Sequence, residues 1–277
     1  MKTLDQKTAA LKKILREAQQ VAIAYSGGVD SSLLVRLAGK VLGAENVLAV
    51  IGQSESLTQS SLDEAVAAAR NWGVVVRVTH TPEMENPQFV KNLPDRCYYC
   101  KSELCQALKR EAEAFFGRLP MLADGNQADD ASDFRPGRRA AREAGVRSPL
   151  AEAEFTKADV RALSQTLGIK GANRPAEACL ASRIPYGTAI TAELLAQVAA
   201  AEQVLREAGF SGFRVRHHGP MARIEVPPAD ITRLAAMAPA IAAKIRAVGY
   251  TYVALDLDGY RTGSLNAGLK RTSGDER

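Results

Sequence analysis

The chain is poor in aromatic residues and has no long apolar run. Phe, Trp and Tyr together make up 5% of its 277 residues, with a single Trp. Ala, Leu and Val carry most of the 46% hydrophobic content, which predicts a helix-rich core around short buried strands. No apolar stretch approaches the roughly 20 residues of a membrane span, so no membrane partner is expected. The N-terminal stretch MKTLDQKTAALKKILREAQQ has the spacing of an amphipathic helix and lacks the apolar centre of a secretory signal. A cytoplasmic location is the expectation. Internal repeats and low-complexity tracts are absent, and the length suits one large or two ordinary domains.

Cysteine is also scarce. The four residues are Cys97, Cys100, Cys105 and Cys179. Without a secretion signal they do not read as structural disulfides, which leaves redox or metal chemistry as the use to consider. The formal net charge is +5. It permits acidic partners such as nucleotides or RNA without requiring them. The basic excess gathers in FRPGRRAAREAGVR (Phe134–Arg147) and FRVRHHG (Phe213–Gly219). Each fits either a solvated helix face or strand end, or a phosphate site.

Along the first two-thirds of the chain, short β-type runs alternate with helical patterns. Strands are predicted at Val21–Ser26, Asn46–Ser54 and Val74–His80, and in LPMLADGNQ. Helices are predicted for SSLLVRLAGKVLG, LTQSSLDEAVAAARNWG and CYYCKSELCQALKREAEAFFG, each closing at a glycine, and for TKADVRALSQTLG with Thr156 as N-cap. Strands joined by helical crossovers predict an α/β fold with a parallel sheet covered on both faces. Ligands bind such sheets beyond the carboxyl ends of the strands. A Gly-, Pro- and Ala-rich stretch, Lys170–Gly187, marks a linker with Cys179 on it. Beyond it come helix (Thr191–Ala208), strand (Phe213–His218), strand (Met221–Val226), helix (Pro228–Val248) and strand (Tyr252–Leu257). That is a small α+β domain, so the boundaries are drawn as 1–178 and 179–277.

AYSGGVDSSLL (Ala24–Leu34) is the most informative stretch. It follows an apolar run and opens a helix, and the amides of such a turn form an anion site. Gly27 and Gly28 let the backbone adopt positive φ and approach a ligand. Ser26, Ser31 and Ser32 add hydroxyls. The lysine of a Walker loop is missing, and so is the spacing of the dinucleotide fingerprint. The Asp30 carboxylate would repel phosphate unless a cation such as Mg²⁺ lies between them. The loop therefore suits a metal-bound nucleoside triphosphate. A plain glycine turn with a helix cap is the structural alternative.

SGGVDSS resembles the PP-loop of the ATP pyrophosphatases, which cleave ATP to AMP and pyrophosphate and adenylylate an oxygen of their substrate. The resemblance implies that Ser26, Gly27, Gly28, Asp30, Ser31 and Ser32 hold pyrophosphate and Mg²⁺. It places Ser54 near adenine, and Gly125 and Asp129, in DGNQADD, among the nucleotide contacts. The later motifs DFRPGRRAAREAGVRSPLAE, EACLASRIPYGT, VRHHGPMARIEV and LDLDGYRTGSLN resemble the LarE family of ATP-dependent sulfur transferases. That family helps to make the nickel-pincer nucleotide cofactor of lactate racemase, and the likeness covers nearly the whole chain. It implies ATP as cosubstrate and a pyridinium mononucleotide with two carboxylates as acceptor. Each carboxylate is adenylylated, then a sulfur nucleophile displaces AMP to leave a thiocarboxylate.

Cys179 matches the cysteine that one branch of the family consumes as sulfur donor. RCYYCK adds Cys97 and Cys100, a pair that can grip metal. By resemblance to the cluster-bearing branch, Cys97, Cys100 and Cys179 would hold three irons of a [4Fe-4S] cluster, with an exogenous sulfide on the fourth. Cys105 reads as a small core hydrophobe, with a four-cysteine zinc site as its alternative, and Cys97 and Cys100 could instead be merely two buried thiols. Arg183 is expected to steer anionic substrate toward Cys179, or else to be a linker arginine paired with a carboxylate. Arg214 and Arg216 alternate on a strand and suit a substrate phosphate or carboxylate. Glu202, Glu225 and Asp230 form a weaker candidate metal set. His217 and His218 are left outside the site, and LDLDGY is read as a strand ending in a tight turn. A homo-oligomer, and a sulfide donor or other enzymes of the cofactor pathway, are the expected partners. The rivals are an amidating PP-loop synthetase, a tRNA thiolase and a non-catalytic iron–sulfur or nucleotide-binding regulator. The first would need an ammonia source and the second an RNA-binding module, so nucleic acid is not an expected partner.

Overall fold

The structure, a computed structural model, describes residues 2–129, 136–170 and 179–261. Asp130, Asp133–Arg135, the linker core 171–178 and the motif residues Thr262–Asn266 lie outside the described residues. The chain divides into two compact units, Met1–Glu177 and Ala178–Arg277.

Unit one starts with helix α1 (Leu4–Ala18), which Thr3 and Gln6 open with a reciprocal capping box. Strand β1 (Val21–Ala24) is buried along its whole length. It is followed by α2 (Val29–Leu42), β2 (Val47–Gln53), α3 (Gln59–Asn71), β3 (Val75–His80), a short α4 (Pro87–Val90), the long α5 (Arg96–Phe116) and β4 (Met121–Ala123). Helices α6 (Pro136–Glu143), α7 (Pro149–Glu152) and α8 (Lys157–Thr166) complete the unit. The four strands form a parallel sheet in the order β3-β2-β1-β4.

Alternation along β1 shows how the sheet is covered. Val21 and Ile23 pack into a core with Leu11, Leu15, Leu33 and Phe155. Ala22 and Ala24 face the other way, into a core with Leu108, Leu122 and Cys105. Successive side chains of a strand point to opposite faces, so both faces are buried and the strand reads as an unbroken apolar run. The α/β expectation holds for this unit. The sequence reading did not separate α4, α6 and α7, which are too short to show a period.

Unit two holds α9 (Ala192–Glu207), capped by Thr191, then β5 (Arg214–His218), β6 (Met221–Glu225), α10 (Ile231–Ala236), α11 (Ala238–Ala247) and β7 (Tyr252–Leu255). β5 and β6 pair antiparallel; β6 and β7 pair parallel. The single helix expected over Pro228–Val248 is two helices preceded by a 3-10 turn at Pro228–Asp230. Pro239 explains the break, since proline is tolerated in a first turn and not in a helix interior. The unit has its own core, centred on Ala201, Leu205, Val215, Val226 and Ile245.

Candidate active site

The loop between β1 and α2 lies at the carboxyl end of the parallel sheet. Gly27 has φ +75°, and a Cβ there would meet the Ala65 Cβ at 2.8 Å. Gly28 is the N-cap of α2 and has no side chain to block its turn. Ser26, Gly27 and Gly28 are exposed, whereas Ser31 and Ser32 are buried. The Ser31 hydroxyl donates to the Gly28 carbonyl at 3.1 Å and stands 3.2 Å from the Ser26 hydroxyl. The Ser32 hydroxyl donates to the Gly27 carbonyl at 3.3 Å and to the Tyr25 phenol at 3.4 Å. The Ser26 N–H also donates to the Ser31 hydroxyl at 3.3 Å and the Gly28 N–H to the Ser26 hydroxyl at 3.4 Å, so serine hydroxyls brace the loop while Ser26–Gly28 stay on the surface.

Asp30 is the charged centre. Its Oδ2 accepts from the Lys157 ammonium at 2.6 Å. Its Oδ1 is buried and has no hydrogen-bond partner among the described residues. An unpartnered carboxylate oxygen beside the exposed Ser26–Gly28 turn fits Mg²⁺, which takes one or two carboxylates plus substrate phosphates. Lys157 opens α8, and its own N–H donates to Asp129 Oδ2 at 2.8 Å. Gly125 is pressed against the start of α2, where a Cβ would lie 2.7 Å from the Ser31 amide nitrogen. Asp124, buried just before it, accepts from the Asn126 N–H, the Asn126 amide and the Ser148 hydroxyl. The structure therefore brings Ser26–Ser32, Gly125 and Asp129 together. It adds Lys157, Asp124 and Tyr25, which the sequence reading missed.

Ser54, at the end of β2, donates its hydroxyl to Glu83 Oε1 at 2.5 Å, and Ser56 donates to the same oxygen at 3.2 Å. Gln53, Ser54, Glu55 and His80 line an open recess of about 420 Å³. Glu83 is buried, and the Cys100 thiol stands 3.7 Å from its Oε1. Nothing in the pattern TPEMENP distinguishes Glu83 as a buried acid.

Cys97 and Cys100 occupy the first turns of α5, the first exposed and the second half-buried. Residues three apart share a helix face, so the pair can offer two thiolates to one group. Cys105 is 2% exposed within the core, and burial pushes its thiol pKa up. It packs as a small hydrophobe. Cys179 is exposed at the N-terminus of the 3-10 turn Leu180–Arg183. Among the described residues, no group of three or more His, Cys, Asp or Glu is arranged to hold a metal ion.

The polar residues of unit two are heavily paired. Buried Arg183 makes a two-pronged ion pair with Glu202, at 2.7 and 3.0 Å. It also donates to the Cys179 carbonyl at 3.1 Å, which ties the turn to the cysteine. The pairing with a carboxylate is the alternative foreseen for a linker arginine. Arg216 donates to Glu225 at 2.8 Å and to the Ser182 carbonyl at 2.9 Å. Arg214 stacks on Tyr260 and donates to the Phe213 carbonyl at 2.6 Å. Burial lowers its pKa, and the nearby Arg183 charge adds to the shift. The metal set of Glu202, Glu225 and Asp230 is not formed among the described residues. Each acid is claimed by an arginine: Arg183 for Glu202, Arg216 and Arg223 for Glu225, and Arg233 for Asp230. His217 and His218 are held toward their neutral forms by burial. Asp256 Oδ1 accepts the Asp258 N–H at 2.9 Å, and Gly259 has φ +69°, which makes the tight turn expected after β7.

Residues 4–89 match the NAD synthase family description. The chain is 41% identical to pyridinium-3,5-bisthiocarboxylic acid mononucleotide synthase of Lactiplantibacillus plantarum, over 98% of this chain and 98% of that protein. This chain belongs to the LarE family of ATP-dependent sulfur transferases. It is an ATP-dependent enzyme. An uncharacterized protein of Synechocystis is also 41% identical, over 97% of this chain and all of its own length. A glutamine-dependent NAD(+) synthetase of Aquifex aeolicus is 36% identical over 46% of this chain and only 24% of its own. The LarE likeness thus runs through both units, whereas the synthetase likeness covers a quarter of that longer protein. No helix among the described residues is long and apolar enough to cross a membrane.

Proposed function

We propose that this LarE-family enzyme converts both carboxylates of a pyridinium-3,5-dicarboxylate mononucleotide to thiocarboxylates, in the making of a nickel-pincer nucleotide cofactor. The observation that carries the reading is the arrangement around Asp30. One carboxylate oxygen is buried without a partner, the other is held by Lys157, and Gly125 is packed on the Ser31 amide. The exposed Ser26–Gly28 turn would bind the leaving pyrophosphate, with phosphate oxygens replacing the Ser31 and Ser26 hydroxyls as acceptors of its N–H groups, and Asp30 would hold Mg²⁺ against it. The substrate carboxylate attacks the α-phosphorus of ATP, which gives an acyl-adenylate and pyrophosphate. Sulfur then attacks the acyl carbon, and AMP leaves. A carboxylate expels oxide poorly; AMP is a good leaving group, so activation is what the ATP supplies.

Cys97, Cys100 and Cys179 are the residues that would hold a [4Fe-4S] cluster. When bound, the cluster would carry the sulfide to be transferred. The half-exposed Cys97–Cys100 pair on one helix face supports this reading over a Cys179 consumed as donor, which would leave the pair without a use. Arg183 positions the Cys179 turn through its bond to the Cys179 carbonyl. Arg214 and Arg216 remain the candidates for an anionic group of the substrate.

The test is anaerobic incubation of the enzyme with Mg-ATP, the dicarboxylate mononucleotide and sulfide, with products followed by mass spectrometry. One AMP and one pyrophosphate are expected for each oxygen replaced by sulfur. ATP cleavage without any thiocarboxylate would overturn the function. Replacing Cys97 or Cys100 with serine should abolish multiple turnover and the iron content. A single turnover with loss of the Cys179 sulfur, in iron-free protein, would overturn the cluster reading and leave the sulfur transfer standing.

A further inference from the structure

The basic run of unit one is not used by the ATP loop. Most of it forms α6 and the segment leading to α7, and these border a cavity of about 640 Å³. That is within the range of sites for small organic ligands. Arg138, Arg139, Arg142 and Arg147 line it, with Asn126 and Ser148 as neutral hydrogen-bonding groups. The one carboxylate in the lining is Glu152, and it is already committed to Arg147 through two hydrogen bonds. Arg139 lies 4.4 Å over the Tyr98 ring and is 3.7 Å from Glu143. Arg142 is exposed and has no partner among the described residues. With Glu152 spent on Arg147, the lining keeps an excess of guanidinium groups over carboxylates, and Arg142 is an exposed one among them. Planar guanidinium forks match phosphate oxygens.

The place of the cavity matters as much as its charge. Asn126 lines it, and Gly125, one residue earlier, is pressed against the Ser31 amide of the ATP loop. Ser148 lines it as well, and donates to Asp124 at 2.8 Å. A single short loop thus forms a wall of the cavity and packs on the ATP loop.

We propose that this cavity binds the phosphate monoester of the acceptor mononucleotide, and so directs the pyridinium carboxylate toward the α-phosphorus of ATP. The proposal rests on the acceptor assigned above. A phosphate monoester carries a charge of about −1.5 to −2 at neutral pH, which the guanidinium excess of the lining would offset, with Arg142 as an exposed member. ATP phosphates or free phosphate offer the same chemistry, so the test separates them.

Equilibrium binding is measured by calorimetry, with no turnover required, on the wild type, Arg142→Ala and Arg142→Glu. The probes are nicotinic acid mononucleotide, its riboside without the phosphate, inorganic phosphate, and a non-hydrolysable ATP analogue with Mg²⁺. Arg142→Ala should weaken mononucleotide binding about 10-fold, and Arg142→Glu more. Binding of the riboside and the ATP analogue should be unchanged, and inorganic phosphate should compete with the mononucleotide in the wild type. Unchanged mononucleotide affinity in both folded variants would overturn the proposal. So would loss of ATP affinity in place of mononucleotide affinity, or a riboside that binds the wild type as tightly as the mononucleotide. Arg138→Ala provides a second reading at the same cavity if either Arg142 variant fails to fold. Because binding is read without sulfur transfer, failure of the site is distinct from failure of the assigned reaction, which the product assay reports.

Discussion

Asp30 and Lys157 are 127 positions apart, yet their side chains meet at 2.6 Å. The contact gives one carboxylate two tasks at its two oxygens. Oδ2 fixes the side chain, and Oδ1 is left buried without a hydrogen-bond partner among the described residues. A buried carboxylate oxygen is costly unless something cationic or a donor arrives, which is the part proposed for Mg-ATP. Asp30→Asn should therefore lower pyrophosphate formation about 100-fold or more while leaving the far-ultraviolet circular dichroism unchanged. Mg²⁺ titration of ATP-analogue binding would check it, since the variant should lose the Mg²⁺ dependence. Full activity in the variant would remove Asp30 from the metal role. At the same scale, the pairing of Arg183 with Glu202 was legible only as an alternative. A guanidinium close to a reactive cysteine in sequence suggests steering, and only the fold shows that a buried carboxylate already holds it.

At the scale of elements, the helices declare themselves at their ends. Thr3, Thr58, Thr156 and Thr191 each accept a backbone N–H in the first turn of a helix. In α8 the cap is tied to another element. Asp159 completes a capping box with Thr156 and also takes the Lys7 ammonium of α1 at 2.6 Å. Burial alone would raise the Asp159 pKa. The Lys7 ammonium and the Thr156 hydroxyl and N–H override it and hold the pKa at about 2, against an ordinary 3.8. The folded pKa is depressed, so the stabilisation is present above the unfolded value and is lost as pH falls from about 4 through about 2. Asp159→Asn should lower stability at pH 7 and flatten the acid limb between pH 4 and pH 2, as measured by urea unfolding. A limb as steep as that of the wild type would show that other carboxylates carry it. The helix after β6, read as one and found as two, failed for a local reason. The apolar spacing continues through Met237, so periodicity alone cannot reveal that Pro239 starts a new helix.

At the scale of the whole molecule, two separate cores hold two units. The first is built on both faces of the β3-β2-β1-β4 sheet. The second surrounds α9, β5 and β6. Ile245 is fully buried in the second core only. Ile245→Ala should cost about 2–5 kcal/mol and lower the stability of unit two. On heating, sulfur transfer should then fail at a lower temperature than ATP-analogue binding does. Loss of both activities in one transition at the lowered temperature would show that the units unfold as a single cooperative block.

The sequence by itself determined the local geometry and, by resemblance, pointed to the family. Ser26–Ser32 is legible as a candidate nucleotide loop, because a glycine turn, hydroxyls and one aspartate follow a buried strand within seven residues of one another. Caps and glycine stops located the longer helices, and the later motifs pointed to sulfur chemistry. The tertiary structure decided which of the polar residues are already committed. Lys157 joined Asp30, Glu83 gathered Ser54, Ser56 and Cys100, and arginines claimed Glu202, Glu225 and Asp230. These pairs are set by which strand ends and helix faces the sheet brings together, over separations that no local pattern records. Backbone conformation is fixed by neighbours in sequence, whereas the partner of a buried charge is fixed by neighbours in space.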